Sequence, residues 1–592
     1  MSSRRLKNFI ALKMRLALGN LVSNFALTNT FLFFSSLPAA LLVFFVYSGG
    51  FSRLDPRNFQ WISGDNSLSY IAQLFFLTDK WRFPLGANPN YGLELSSSLI
   101  YTSPPLPLML LQKILRIPPE LQFVGLWLLL CLVLQVYLGA KIARELGGNF
   151  FQSLIFGVLQ ITPFMLMRME IHYWLSAHFI ILWSLLIVVL YLKSKKVRIY
   201  QVVCLLALAY TIHGYLLLFS ILLFFVICIR EYANKRGEFT RLSQRILISS
   251  LITPLLSSFL IDGFGSTSSS LYEKIRMNFT GQYSFYPSNV LAPLNPAVGF
   301  GRDCSIYHCM YGSEVPSYVI ENFSISSIDY GGVQGNEDGY LYLGAGLLFF
   351  ALFVLLRILR LQSWGFKLVR FVNEWLSVLV YFGFIFMFSV TNRITIGSVE
   401  IHLPIPKMLR WGLSVFRGSG RFNWIIVYVA LAFLFFLSVR YIASRTLSIS
   451  LIFALTLQVL DLSIPVINRY EALESAQVRS FDIPPKLNDG FPKLSEKKLY
   501  MRIYPSSSMQ GFPSLAYLAW KNGLATNQAQ SARFNYLQSD RSDRLLYKQI
   551  CSDAIPSEIL VVIPSSNLNL FARCNLSKKI TVEINGLVFI SS

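Results

Sequence analysis

The residue best placed for chemistry comes early in the chain. Asp65 stands in WISGDNSLSYIAQLFF, shortly after a first membrane-length apolar run, and ahead of Leu68, Ile71, Ala72 and Phe75. The i, i+3, i+4, i+7 spacing is the apolar stripe of an amphipathic helix and predicts one lying along the membrane surface. An Asp just ahead of such a run is a favoured N-cap. A carboxylate at the lipid boundary is also costly unless it is solvated, paired or used, so Asp65 can equally be a general base facing a polar cavity. The pattern leaves both roles open. Asp65→Asn separates them, because Asn caps a helix but accepts no proton.

A second group of reactive side chains lies hundreds of residues later. The predicted outer segment 391–423 carries Arg393, Lys407, Arg410, Arg417 and Arg421, the last two in VFRGSGRFNW. Positive charge on the outer side runs against the inside bias and calls for another cause. Guanidinium groups bind phosphate in bidentate fashion, so recognition of a lipid phosphate is one cause, and contact with anionic head groups is the other. Glu337 and Asp338, in GNEDGYLYLG, stand at the start of an apolar span. The helix dipole alone could place them there, or they could supply a second carboxylate to work with Asp65.

Gly64 and Asp65, followed by Phe83, Pro84, Leu85, Gly86, Asn88, Pro89, Tyr91, Gly92 and Glu94 in WRFPLGANPNYGLELSSSLIYTSPPLP, resemble a YfhO-like, uncharacterised family of bacterial polytopic membrane proteins. That family is itself similar to the GT-C glycosyltransferases, which use sugars carried on polyprenyl phosphate. The resemblance implies a catalytic carboxylate in the first outer loop, an inverting transfer, and a functional Arg-x-x-x-Arg-Phe stretch at 417–422. It also makes Tyr91 and Glu94 substrate-binding candidates. In the GT-C class the acid is often one of a pair, whereas this chain has Asp-Asn-Ser at 65–67. The second acid is missing, so no cofactor is certain, although a divalent metal remains possible.

All five histidines, His172, His178, His213, His308 and His402, fall on predicted outer loops or outer membrane ends, which marks that side as the chemical one. His172 and His178 flank YWLSA after Arg168 and Glu170. An i, i+6 pair is not a standard metal spacing, so hydrogen bonding to a sugar hydroxyl or to another outer polar group fits better. His213 and Tyr215 in IHGY mark either a binding cleft or an ordinary interfacial belt.

These groups need a membrane scaffold, and composition supplies one. With 54% hydrophobic and 14% charged residues over 592 positions, and a mean hydropathy of +0.51, the chain reads as a polytopic membrane protein. The net charge of +22 is spread through short loops beside apolar runs, which suits positive-inside topology and anionic lipid and gives no reason to invoke nucleic acid. Spans are expected at about 25–48, 121–140, 151–168, 175–193, 199–214, 216–230, 247–262, 340–358, 375–390, 424–440 and 447–465, about eleven in all. Residues 106–115 are too short to span and predict a second surface helix.

The expected fold is therefore an all-α polytopic membrane protein of GT-C type, with a transmembrane domain over 1–465 and outer loops at 49–120, 263–339 and 391–423. A small α/β domain over 466–592 follows, built from SEILVVIP as a strand, KKITVEINGLVFIS as a hairpin turning at Asn585-Gly586, and RSDRLLYKQICSDA as a helix. The N-terminus should be cytoplasmic and the C-terminal domain extracytoplasmic, at the inner membrane. Disulfides Cys304–Cys309 and Cys551–Cys574 are then possible. The expected partners are a polyprenyl-phosphate sugar donor, a glycan or lipid acceptor and the membrane. A flippase of lipid-linked sugars and a non-catalytic component of envelope polysaccharide assembly are the alternatives to an enzyme.

Overall fold

The structure is a computed structural model. It describes residues 29–62, 65–261, 287–294, 336–475, 483–506, 513–529, 536–572 and 580–591, with Tyr283 and Cys574 beside them. Short interruptions fall at 96–97, 103–104, 236, 361–363, 398, 407, 410–412, 414–415 and 417. Cys304, Cys309 and His308 lie outside the described residues.

The helical part begins with α1 (Asn29–Ser48), α2 (Asp65–Thr78), α3 (Leu106–Ile114), α4 (Val124–Glu145), α5 (Phe150–Leu159) and α6 (Pro163–Ile171). It continues with α7 (Phe179–Ser194), α8 (Ile199–Ile212), α9 (Gly214–Asn234), α10 (Arg241–Leu260), α11 (Ala345–Leu359), α12 (Trp364–Val390), α13 (Asn423–Tyr441) and α14 (Ser444–Ser475). Among the described residues, seven helices are long and apolar enough to cross a membrane, or eight if one bent pair counts as a single span.

Eleven spans were expected, and the difference has local causes. The segment expected at 151–168 is the bent pair, α5 and α6, which turn 56° at their junction. Pro163 has no N–H to continue the ladder and disfavours a helical residue before it; Thr162 is extended at φ −85°, ψ 154°, and α6 restarts with the proline in its first turn. The helices at 199–212 and 345–359 form but are short. The span expected at 247–262 falls in α10, which holds Pro254 and is rich in serine.

The amphipathic stripe does form a helix, α2, but not one that rests on lipid. Every described side chain from Asn66 to Phe76 is buried. The sequence 83–95 is the reason. Asn88 Nδ2 donates to Ala72 O at 2.9 Å and Tyr91 Oη donates to Leu68 O at 3.1 Å, so this loop binds the helix backbone from one side. The C-terminal domain covers another face. By contrast, α3 keeps Leu111 and Ile114 exposed while burying Leu106, Met109 and Gln112, as a two-faced surface helix should.

The C-terminal region forms the strand, the hairpin and the helix expected from its sequence, while α14 runs to Ser475, past the expected boundary at 465. The region contains α15 (Pro485–Leu494), β3 (Tyr500–Ile503), α16 (Pro513–Lys521), β4 (Ala525–Thr526), α17 (Tyr536–Cys551), β5 (Ile559–Pro564), β6 (Ile580–Ile584) and β7 (Leu587–Ser591). An earlier hairpin, β1 (Arg393–Ile396) and β2 (Val399–His402), belongs to the membrane part. The sheet order is β4-β3-β5-β7-β6, with the first three strands parallel and the last two added antiparallel. Parallel strands buried on both faces read as continuous apolar runs, as ILVVI in β5 does. Asn585 and Gly586 both take positive φ, 53° and 73°, the geometry of a tight hairpin turn. Cys551 is bonded to Cys574.

This domain is strapped to the first loop. Gly92 N–H donates to Thr526 O at 2.8 Å and Thr526 N–H donates to Asn90 O at 2.9 Å, so the loop pairs with β4, the edge of the sheet. Arg502 on β3 makes a two-pronged ion pair with Glu94, at 2.7 and 3.1 Å, and Ser542 also bonds to Glu94. Helix α16 packs on α2, and Tyr517 lies 5.8 Å from Phe59.

Candidate functional site

The polar centre of the membrane part is built from three elements distant in sequence. Arg168 comes from the last turn of α6, just beyond the bend that Pro163 makes. Asp338 lies in a single 3-10 turn, Asn336–Gly339, ahead of α11. Arg421 lies in another, Ser419–Phe422, that leads into α13. Glycines let the two turns touch. A Cβ on Gly420 would stand 2.7 Å from Gly339 Cα, and one on Gly418 would stand 2.9 Å from Asp338 Oδ2. Tyr215 Oη accepts the Gly418 N–H at 2.8 Å and fixes the turn from the side of α9.

Asp338 bridges the two guanidinium groups. Arg421 reaches both of its carboxylate oxygens at 2.7 Å, and Arg168 reaches Oδ1 at 2.9 Å. All three side chains are buried. Burial by itself would raise the Asp338 pKa, but the charges of Arg421 and Arg168 outweigh it and bring it down to about 2. The carboxylate is therefore ionised and offsets one of two positive charges.

Two imidazoles stand in the field of this cluster. His172 is held down at about 3, first by burial and then by Arg421 and Arg168, with Asp338 opposing them. Burial and Arg421 hold His213 at about 3 as well. Both are neutral at ordinary pH and can accept or donate one hydrogen bond. His213 caps α9, its Nδ1 accepting the Tyr215 N–H at 3.2 Å, and it stacks on the Tyr215 ring. The Arg421 guanidinium lies 4.8 Å over that same ring.

The start of α2 abuts this face. Tyr173, next to His172, donates its N–H to Asn66 Oδ1 at 3.3 Å, and its ring lies 5.4 Å from Trp61. Asp65 is the first residue of α2, beside Asn66. Its side chain lies outside the described residues, as do the side chains of Glu170 and Glu337 and the whole of Arg417.

The structure thus gathers Arg421, Asp338, His172, His213 and Tyr215, and ties Asn66, the residue after Asp65, to the backbone next to His172. Three others have protein partners of their own. His178 is buried in the bundle, its Nδ1 2.9 Å from Tyr428 Oη and its ring against Trp424, the ring over which the Arg168 guanidinium lies at 5.4 Å. Tyr91 is buried against α2, and Glu94 is committed to Arg502; both hold the C-terminal domain in place. For Tyr91 and Glu94 the cause is shared. The described stretch 83–94 of the motif docks on α2 and β4, and Asn88, Tyr91 and Glu94 each bond to protein.

Nothing in the sequence spacing pairs Arg168 with Asp338. The available signal was a lone arginine after the apolar run PFMLM, since a charge there is expensive without a partner. Asp338 was foreseen as a possible second acid, but two cations hold it where it makes a poor proton acceptor. Among the described residues there is no group of three or more His, Cys, Asp and Glu able to hold a metal ion.

Residues 38–463 match a family model described as "Domain of unknown function (DUF6311)". Among solved structures, the chain is similar to ArnT from Cupriavidus metallidurans bound to undecaprenyl phosphate, at 13% identity and a TM-score of 0.39, covering 94% of this chain and 97% of that one. No curated protein matches the chain.

Proposed function

The chain belongs to the DUF6311 family, and from that premise we propose that it is a membrane glycosyltransferase moving a sugar from a polyprenyl-phosphate carrier to a glycan or lipid acceptor of the cell envelope. One observation carries this reading. Two buried guanidinium groups share one carboxylate, with two neutral imidazoles and a phenol beside them, next to the N-terminal end of an acid-bearing helix.

In this reading Arg421, Arg168 and Arg417 bind the phosphate of the carrier, and Asp338 keeps the first two guanidinium groups in register. Asp65 takes the proton from an acceptor hydroxyl. That oxygen attacks the anomeric carbon, the bond from carbon to phosphate oxygen breaks, and its electron pair leaves with the lipid phosphate. The anomeric centre inverts. The arginines offset the charge that grows on the departing oxygen. His172, His213, Tyr215 and Glu337 bind sugar hydroxyls.

The test is transfer from short-chain polyprenyl-phosphate sugars to candidate glycan acceptors by the purified protein. Asp65→Asn should lower the rate by roughly 10²–10⁴, the usual contribution of a general base. Arg421→Ala should lower it by about 10² or more, as loss of a charge-stabilising donor does. Transfer that survives Asp65→Asn would remove the proposed base.

A second reading has one observation in its favour. The bent pair α5 and α6 puts Arg168 at the end of a broken span, and broken helices mark the binding sites of many transporters. A flippase would move carrier lipid across vesicles without forming a glycoside, and Asp65→Asn would change it little.

A further inference from the structure

The hairpin β1–β2 is turned inside out for a piece of soluble protein. Its register pairs Ile394 with Ile401 and Ile396 with Val399, so these four apolar side chains share one face. Arg393 pairs with His402 and Thr395 with Glu400, which puts the polar side chains on the other. The polar face is the one tied down. Arg393 forms an ion pair with Glu400, His402 Nε2 lies 2.6 Å from the same carboxylate, and Thr395 is buried. Val290 N–H donates to Thr395 O at 2.9 Å. Asn289 clasps the turn, donating to Gly397 O at 2.8 Å and accepting from Gly397 N at 3.1 Å. The apolar face looks outward, with Ile396 41%, Val399 60% and Ile401 46% exposed, and Leu403 follows at 43%.

The location says what covers it. The hairpin begins three residues after Val390, where α12 ends, and α12 is a membrane-length helix that exposes Leu376, Val380, Phe384 and Met387 along its length. The hairpin's exposed apolar side chains thus follow directly in the chain on a helix whose own exposed apolar side chains run to its last turn. The same end of α12 packs on the turn that carries Arg421, through Phe388 against Phe422 at 4.5 Å. We infer that the β1–β2 hairpin is a membrane-seated element whose Ile396, Val399 and Ile401 face enters the acyl region of the leaflet beside the Arg168–Asp338–Arg421 cluster. Its polar face, with Glu400 and His402, sits at head-group level. This holds whatever reaction the cluster performs.

The experiment uses the full chain in vesicles of phosphatidylethanolamine and phosphatidylglycerol, with photoreactive p-benzoylphenylalanine placed at Val399 or, as a control on the polar face, at His402. Both side chains are exposed, 60% and 69%; the replacement at 402 gives up the contact with Glu400, which keeps its ion pair with Arg393. Irradiation should give lipid adducts, read by mass spectrometry, several-fold more often at position 399 than at 402. Adducts to another part of this chain, a cross-linked dimer, or equal lipid labelling at the two positions would each overturn the inference. Bromine-labelled acyl chains provide a second readout. They should quench the added fluorescence of Val399→Trp and leave that of His402→Trp unchanged, and the reverse order would also overturn it.

Discussion

At the scale of single residues, the cluster is set by who neutralises whom. Removing Asp338 leaves two buried cations without their shared counter-charge. Asp338→Asn should cost about 3–5 kcal/mol, read as a lowered unfolding temperature in detergent, because breaking a buried pair strands a charge. The two histidines give a pH signature. Their folded pKa values, about 3, lie below the usual 6.5, so an unfolded chain binds more protons between those limits. Their contribution to stability is complete above pH 6.5 and is lost as pH falls from there toward 3. His172→Gln with His213→Gln should flatten that acid limb in a thermal-shift series. Asp338, lowered from 3.8 to about 2, adds a further loss only below pH 4. The titrating groups were legible in the sequence; their protonation states were not, since these depend first on burial and then on Arg421 arriving from more than two hundred positions away.

At the scale of elements, close contact between backbones does the positioning. Gly420→Ala would drive a methyl into Gly339, part the two 3-10 turns and pull Arg421 away from Asp338. Overpacking of this kind costs about 1–3 kcal/mol, and here it should also abolish the function of the cluster while α13 stays helical by circular dichroism. Periodicity found α2, α3 and most long helices, because helical spacing is a local property. It misses what surrounds α2, because burial there depends on the 83–95 loop and on a domain encoded some four hundred residues later. It also read α5 and α6 as one span: the apolar composition runs straight through Thr162-Pro163, and only the backbone preference of that pair breaks it.

At the scale of the molecule, the C-terminal domain is a fitted cover and not a tethered accessory. Glu94 and Arg502 are each 21% exposed and joined by two hydrogen bonds with Ser542 as a third partner. Arg502→Ala should destabilise the domain contact by about 1–2 kcal/mol, read as faster hydrogen exchange in α2. If α2 exchange stayed unchanged, the strap would not be what shields the helix. The same contact explains why the motif of the family resemblance was legible while its purpose was not. FPLGANPNYGLE has the composition of a turn-rich loop, and nothing in its spacing tells a surface for sugar from a surface for β4.

The distance along the chain between Glu94 and Arg502, 408 residues, sets a timetable for biogenesis. At about 5–20 residues per second, a ribosome needs roughly 20–80 s to make the second partner after the first. Throughout that interval α2 has been synthesised but lacks its roof, and its apolar flanks are open to proteases and to other nascent chains. A product stopped at residue 475, where α14 ends, should persist in that state and be degraded faster than the full chain in a pulse-chase measurement. Supplying residues 476–592 as a separate polypeptide should extend its lifetime.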